Sequence, residues 1–355
     1  MAHPLLDVAA GQDPLSLEGV QWWCKRMDTK SVRKQIGLVG LDACTLEELY
    51  IKYGEQGLVE REDIFRFYFA AKQKPNHSAA VFHSQSKCSD NAFWESVAKV
   101  RQFFGKAMDE IKWSRRLDPF NHSPHFPHFA THFTDAMPIA CVGGALSDAL
   151  FNPKKGRYIW KVTVAIDFMG NILSISTLQP GSSPDVIIWD NEGPSRTRGD
   201  FFDFEVGLHD GAYKGRIHVV IPFVGRGSLT ARQESYNSVH GWYRARVEHV
   251  FAHLWHWGII RHIWNGSPDT LHQTVRILLH TTQFCLNCKL QYPPYGPWEH
   301  IPKGIWSDQP LATPESEVDG PDVAAACQLC YNRSTVQCEH CNLSFCQPCN
   351  TFHSC

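Results

Sequence analysis

The 355-residue chain lacks any uncharged apolar run of about 18 residues, the length a bilayer-spanning helix needs, and it lacks a basic-then-apolar N-terminus. Neither a membrane span nor a secretory signal is expected, so the chain reads as intracellular and without a membrane partner. Net charge is scarce too: 34 Lys and Arg against 36 Asp and Glu leave a formal charge of -2. A chain so nearly neutral has no global positive field with which to hold nucleic acid, and any such surface must be a local patch. No internal repeat is visible. Cysteine is plentiful, but seven of the 13 crowd into the last 29 residues in CxxC pairs while the rest are scattered. In a reducing compartment that distribution points to metal binding, the alternative being a disulfide knot in an oxidising one.

The length allows one large or two modest domains with true cores. Residues 1–95 read as short helices between glycine turns. "TLEELYIKYGEQG" places Thr45 and Glu48 at capping-box spacing and "EREDIFRFYFAAKQK" follows as a second helix. A helix-turn-helix DNA reader and a plain helical region both fit. A further helix is predicted from Ala92 to Trp113, leading into the Pro- and His-rich "RRLDPFNHSPHFPHFATHF". The periodicity then changes. "FTDAMPIACV", "YIWKVTVAIDF", "NILSISTLQ", "FEVGLHD" and "GRIHVVIPFV" are rich in Val, Ile and aromatics between Gly, Pro, Asn and Asp, and predict five strands of a mixed α/β sheet, with Asp167 in a hairpin turn.

In "HGWYRARVEHVFAHLWHW", Tyr243, Val247, Val250, Leu254 and Trp257 fall on one helical stripe, and Glu248 sits beside it. On the residues alone Glu248 is open to two readings. It can be a surface partner of Arg244 four residues earlier, or one of a set of carboxylates. Asp135 lies inside the first predicted strand, where a buried charge needs a partner or a metal. Asp210 ends the fourth. If those strands are neighbours and the helix crosses them, Asp135, Asp210 and Glu248 meet, and divalent cations are the usual answer to their repulsion. Asp185, in "GSSPD", competes with Asp210, with a helix N-cap as its non-chemical explanation.

The segments "RRLDPFNHSPHFPHFATHFTDAMPI", "LQPGSSPD", "HDGAY" and "YNSVHGWYRARVEHVFAHLWHWGIIR", together covering about residues 100–270, resemble the PIF/Harbinger branch of the DDE transposases, with its DDE superfamily endonuclease domain. The last segment is the most specific: Asn237, Arg244 and then Val247-Glu248 match the opening of that family's final catalytic helix. The resemblance implies an RNase H-like sheet and a Mg or Mn site on Asp135, Asp210 and Glu248. It also implies cleavage of DNA at element ends with transfer of the 3′-OH strand, oligomerisation on DNA, nuclear location and, in that branch, a separate DNA-binding partner protein. Arg244 becomes the residue that orients Glu248. Where bacterial relatives carry a tyrosine before that arginine and a lysine after the glutamate, this chain has Gly241 and Trp255; Lys214 and Arg261 are the candidates to replace the lysine as a DNA contact. His122, His125, His128 and His132 read as structural, whereas His249, His253 and His256 are open to phosphate contact or to surface filler.

The tail sets out Cys327, Cys330, Cys338, Cys341, Cys346, Cys349, His353 and Cys355, eight soft ligands that suffice for two tetrahedral zinc ions in a segment too short for an apolar core. Its spacing resembles the cysteine-rich C-terminal domain of piggyBac-type transposases, which implies a DNA-end-binding module. Cys285 and Cys288 read as helix thiols. The expected organisation is thus a helical region over 1–95, possibly DNA-binding in function, a catalytic domain over 96–305, an acidic Pro-rich linker over 306–326 and a zinc domain over 327–355. The competing expectation is a domesticated, catalytically silent DNA-binding or adaptor protein.

Overall fold

A computed structural model describes residues 17–54, 58–73, 88–118, 121, 125–126, 129–144, 146–193, 202–203, 205–225 and 229–288, together with 336–337 and 344–345. Helices α1 (Leu17–Arg26), α2 (Val32–Val39), α3 (Ala43–Leu49), α4 (Arg61–Lys72) and α5 (Asp90–Ala107) come first. The capping differs from the expected Thr45–Glu48 box. Asp42 caps α3, accepting the Thr45 N–H at 2.9 Å, because the helix starts two residues before Thr45. The box belongs instead to α4, between Glu60 and Asp63. Residue 95 lies inside α5, and apolar side chains from Trp23 to Phe104 share one core with those of the sheet.

The sheet contains the five expected strands, the third of them in two pieces, and one short additional strand, β2: β1 (Ala130–Ala140), β2 (Phe151–Asn152), β3 (Arg157–Ile166), β4 (Ile172–Ile175), β5 (Gln179–Pro180), β6 (Val206–Leu208) and β7 (Val219–Val220). β1 runs antiparallel to β3 and parallel to β6, and β6 runs parallel to β7, while β2, β4 and β5 pair along the other edge of β3. The predicted third strand breaks into β4 and β5 because the Ser176 hydroxyl, in place of a carbonyl, accepts the Thr163 N–H. β3 is buried from Ile159 to Ile166, as a strand covered on both faces must be.

Helices α6 (Ser147–Leu150), α7 (Asp185–Glu192), α8 (Ala231–Trp255), α9 (Gly258–Arg261) and α10 (Pro268–Cys288) complete the fold. α8 begins with a capping box between Thr230 and Gln233. Its predicted stripe is the buried one: Tyr243, Val247, Val250, Leu254 and Trp257 are all within the core. Tyr243 stacks on Phe133 of β1 with ring centroids 5.5 Å apart and meets Phe168 edge-on at 5.1 Å. The N-terminal helices close over the far end of α8. A Cβ on Gly40, which caps α2 at φ 84°, would lie 2.4 Å from the Trp257 ring, so only glycine serves there. β8 (Val336–Gln337) and β9 (Ser344–Phe345) form an antiparallel pair within the tail.

Candidate active site

β1 and β6 run side by side only as far as the Phe133–Leu208 pair. β6 ends there, β1 continues to Ala140, and the parting opens a notch in the sheet. Two residues further on each chain stand Asp135 and Asp210. Asp210 is fixed by the turn it begins: as the cap of Gly211–Tyr213 it accepts the Ala212 N–H at 2.8 Å. Asp135 is partly buried and accepts its neighbour Ala136's N–H at 2.8 Å. Burial pushes the Asp135 carboxyl up to about 6, the charges of Asp210 and Asp185 push the same way, and the Ala136 N–H and the Arg244 guanidinium oppose them. A carboxylate held this way is under electrostatic load that a cation would relieve.

Arg244 stands on α8, and its charge acts on Asp135 and on buried His240. Glu248, one turn further along α8, is exposed and forms no ion pair with Arg244. The structure therefore places Asp135 and Asp210 just past the point where the neighbouring strands β1 and β6 part, with the Arg244 charge bearing on Asp135, and leaves Glu248 exposed one turn further along α8. Asn237 has a different task. It accepts the Phe223 N–H at 2.7 Å and donates to the Phe223 carbonyl at 3.0 Å, pinning the chain beyond β7 to α8.

The other predicted contacts lie apart. Lys214 is exposed just after the Asp210 turn. Arg261 is exposed on α9, where its charge bears on Lys72 of α4, whose ammonium donates to the His256 carbonyl at 2.8 Å. His132 is fully buried, its ring stacked on Trp189 with centroids 5.9 Å apart, and burial pushes it down to about 3. It is a neutral packing ring. His209 packs between Trp189 and Tyr213. Asp167 is the turn residue the sequence predicts, accepting the Met169 and Asn171 N–H groups. His122 and His128 lie outside the described residues, as do the side chain of Cys288 and the eight ligands of the tail.

Three features escape sequence reading. Arg116 and Glu205 form a buried bidentate pair at 2.6 and 3.1 Å, to which Thr131 adds a hydrogen bond of 2.6 Å, locking the lead-in segment under β1. Asp185 does not cap α7; Pro184 holds that position, and the Asp185 carboxylate instead takes an ion pair from Lys161 of β3 at 2.9 Å. The third is Tyr213, whose buried hydroxyl has no hydrogen-bond partner although the charges of Asp185, Asp135 and Asp210 all act on it. The donor chemistry here, several carboxylates and an orphaned hydroxyl, fits a hard divalent cation. Among the described residues no three His, Cys, Asp or Glu side chains already stand close enough to enclose one.

Residues 131–281 match the family model of the DDE superfamily endonucleases. No curated protein matches the chain. Among solved structures it is similar to the piggyBac transposase in a cryo-EM synaptic complex with hairpin DNA, at 11% identity over 94% of this chain and 96% of that one, with a TM-score of 0.36. Among the described residues no helix is long and apolar enough to cross a membrane.

Proposed function

We propose that the chain is a transposase-like DNA endonuclease, nuclear in location, that cuts phosphodiester bonds at element ends and transfers the resulting 3′-OH strand. The observation that carries this reading is the meeting of Asp135 and Asp210 where β1 and β6 part, within the segment that matches the DDE endonucleases. The mixed sheet, in the order β2-β3-β1-β6-β7 with α8 packed on β1 and β3, supports reading the fold as RNase H-like. Asp135, Asp210 and Glu248 would hold divalent Mg or Mn, Glu248 turning inward about α8 from its exposed position. Ions held there would supply Lewis-acid chemistry for water attack and for charge on the departing 3′-oxygen. Arg244 steadies the Asp135 charge and stands ready for a DNA phosphate, with Lys214 and Arg261 as outer contacts.

The tail, with Cys327, Cys330, Cys338, Cys341, Cys346, Cys349, His353 and Cys355 on two zinc ions, would recognise element ends, working in a homo-oligomer on DNA and with a separate DNA-binding partner protein. The exposed position of Glu248 and the Trp255 that stands where relatives carry lysine favour the second reading, a domesticated DNA-binding protein. Nicking of supercoiled plasmid carrying the element's ends, in Mg²⁺ or Mn²⁺, separates them. The endonuclease reading expects cleavage that Asp135→Asn and Asp210→Asn abolish while DNA binding survives; binding without any cleavage by the parent protein supports the second.

A further inference from the structure

His209, the residue just before Asp210, is fully buried, and among the described residues neither of its ring nitrogens has a hydrogen-bond partner. Two orphaned polar atoms on one buried ring are costly unless a partner stands within reach. The geometry around Gly207 supplies one. A Cβ built on Gly207 would lie 2.3 Å from His132 Nε2 and 2.7 Å from His209 Nε2, which bounds the separation of the two nitrogens at 5.0 Å. Both rings thus turn the same nitrogen into the space over one glycine, with ring centroids 5.9 Å apart and planes at 90°. Gly207 is the register partner of His132 in the β1–β6 pair, so the strands themselves bring the two rings together.

The proton of His132 can be placed from its other side. The β1–β6 register slips by one residue between the Ala130–Val206 and His132–Gly207 pairs, and the extra residue, Thr131, sets its hydroxyl 3.0 Å from His132 Nδ1. That hydroxyl has one proton. It goes to Glu205 Oε1 at 2.6 Å, because a carboxylate already held by Arg116 can only accept. Thr131 Oγ1 must then accept from His132 Nδ1–H, which leaves His132 Nε2 as a bare lone pair on the side of His209.

We infer that His209 carries its proton on Nε2, directed at His132 Nε2, and that the buried series Arg116, Glu205, Thr131, His132 and His209 makes His209 a positioning residue for Asp210. Each member sets the next. The ion pair orients the hydroxyl, the hydroxyl selects the His132 tautomer, and the lone pair so exposed selects the tautomer and the ring plane of His209. Asp210 then leaves β6 from a fixed point, with its own carboxylate turned back to the Ala212 N–H. The value of that fixed point rests on the proposed function, which makes Asp210 a metal ligand; the two tautomers stand apart from it.

The test is proton–nitrogen correlation NMR of the full-length chain, isotope-labelled on histidine, with the two rings assigned from His132→Phe and His209→Phe. The parent should show His132 protonated on Nδ1 and His209 on Nε2, and the His209 ring proton, held downfield by its bond, should move upfield in His132→Phe. His132 protonated on Nε2, His209 protonated on Nδ1 or on both nitrogens, or a His209 proton that ignores His132→Phe overturns the inference. Should His132→Phe fail to fold, the parent's tautomers decide alone. The positioning role is read without any activity from amide exchange at Ala212, whose N–H the Asp210 carboxylate accepts. His209→Phe should speed that exchange several-fold, and a parental rate overturns the role. Asp210→Asn nicking like an active parent would instead overturn the proposed function and leave these signals in place.

Discussion

Asp135 should make the protein less stable than it need be, and the penalty can be worked from its surroundings. Its carboxyl is raised from the ordinary 3.8 to about 6, first by burial and then by the Asp210 and Asp185 charges. A folded value above the unfolded one means that the folded state binds the proton more tightly. The resulting handicap is absent below the unfolded value near 3.8, grows as pH rises, and is complete above about 6. The interval corresponds to about 3 kcal/mol at most, and water reaching a partly buried side chain reduces it to roughly 2 kcal/mol. Asp135→Asn keeps the shape and removes the charge. Its melting temperature at pH 7.5, in chelator, should exceed the parent's by about 3–4 °C for a single core of this size, and the gap should close toward pH 4. Excess Mg²⁺ should narrow it at pH 7.5 by stabilising the parent alone. Equal melting at pH 7.5, or a gap that widens on acidification, would refute the reasoning that this carboxylate is held under load for a cation.

Glu205→Gln leaves Arg116 buried without its counter-charge and should cost about 3–5 kcal/mol, measured by urea unfolding; a loss under 1 kcal/mol would contradict the burial of that pair. Asn237→Ala should release the chain beyond β7 and cost about 1–2 kcal/mol, with faster amide exchange at Phe223 as the local signature. Purified protein should carry close to two zinc atoms per chain and Cys338→Ser about one, by metal analysis; cysteines oxidised in pairs without zinc would remove the zinc module from the account. Removing residues 308–355 should weaken binding to element ends more than to random duplex, with affinity falling steeply in salt; equal losses on both sequences would deny the tail a recognition role.

Much of this site could be read from the chain because its parts are local patterns. The α8 stripe follows from 3.6-residue spacing, and every predicted member is buried. The strands that carry Asp135 and end before Asp210 follow from β-branched runs, and their adjacency is the parallel register from Ala130–Val206 to Phe133–Leu208. What could not be read is set by register between distant segments. Lys161 finds Asp185 across a connection of more than twenty residues, and Arg116 finds Glu205 across 89. No periodicity encodes such pairs. Local chemistry misled in two places: Thr45 has the spacing of a cap but lies inside a helix that Asp42 starts, and Asp185 stands at a helix start where Pro184 already holds the capping position. The exposed setting of Glu248 also depends on how α8 is rotated on β1, which Tyr243 and Phe133 determine together.

Glu248 decides the three-carboxylate site, since of the three proposed Mg ligands it is the one that stands exposed on α8 rather than where β1 and β6 part. The direct measurement is the rate of plasmid nicking at element ends by Glu248→Gln beside the parent protein, in Mg²⁺ and in Mn²⁺, with DNA affinity and melting recorded for both. As a metal ligand Glu248 must carry its charge, so the account predicts that Glu248→Gln loses nicking and strand transfer while binding and melting stay near the parent's. As a surface residue its loss should cost about 0–1 kcal/mol of stability and leave the chemistry intact. An active parent and an equally active Glu248→Gln would contradict the three-carboxylate site.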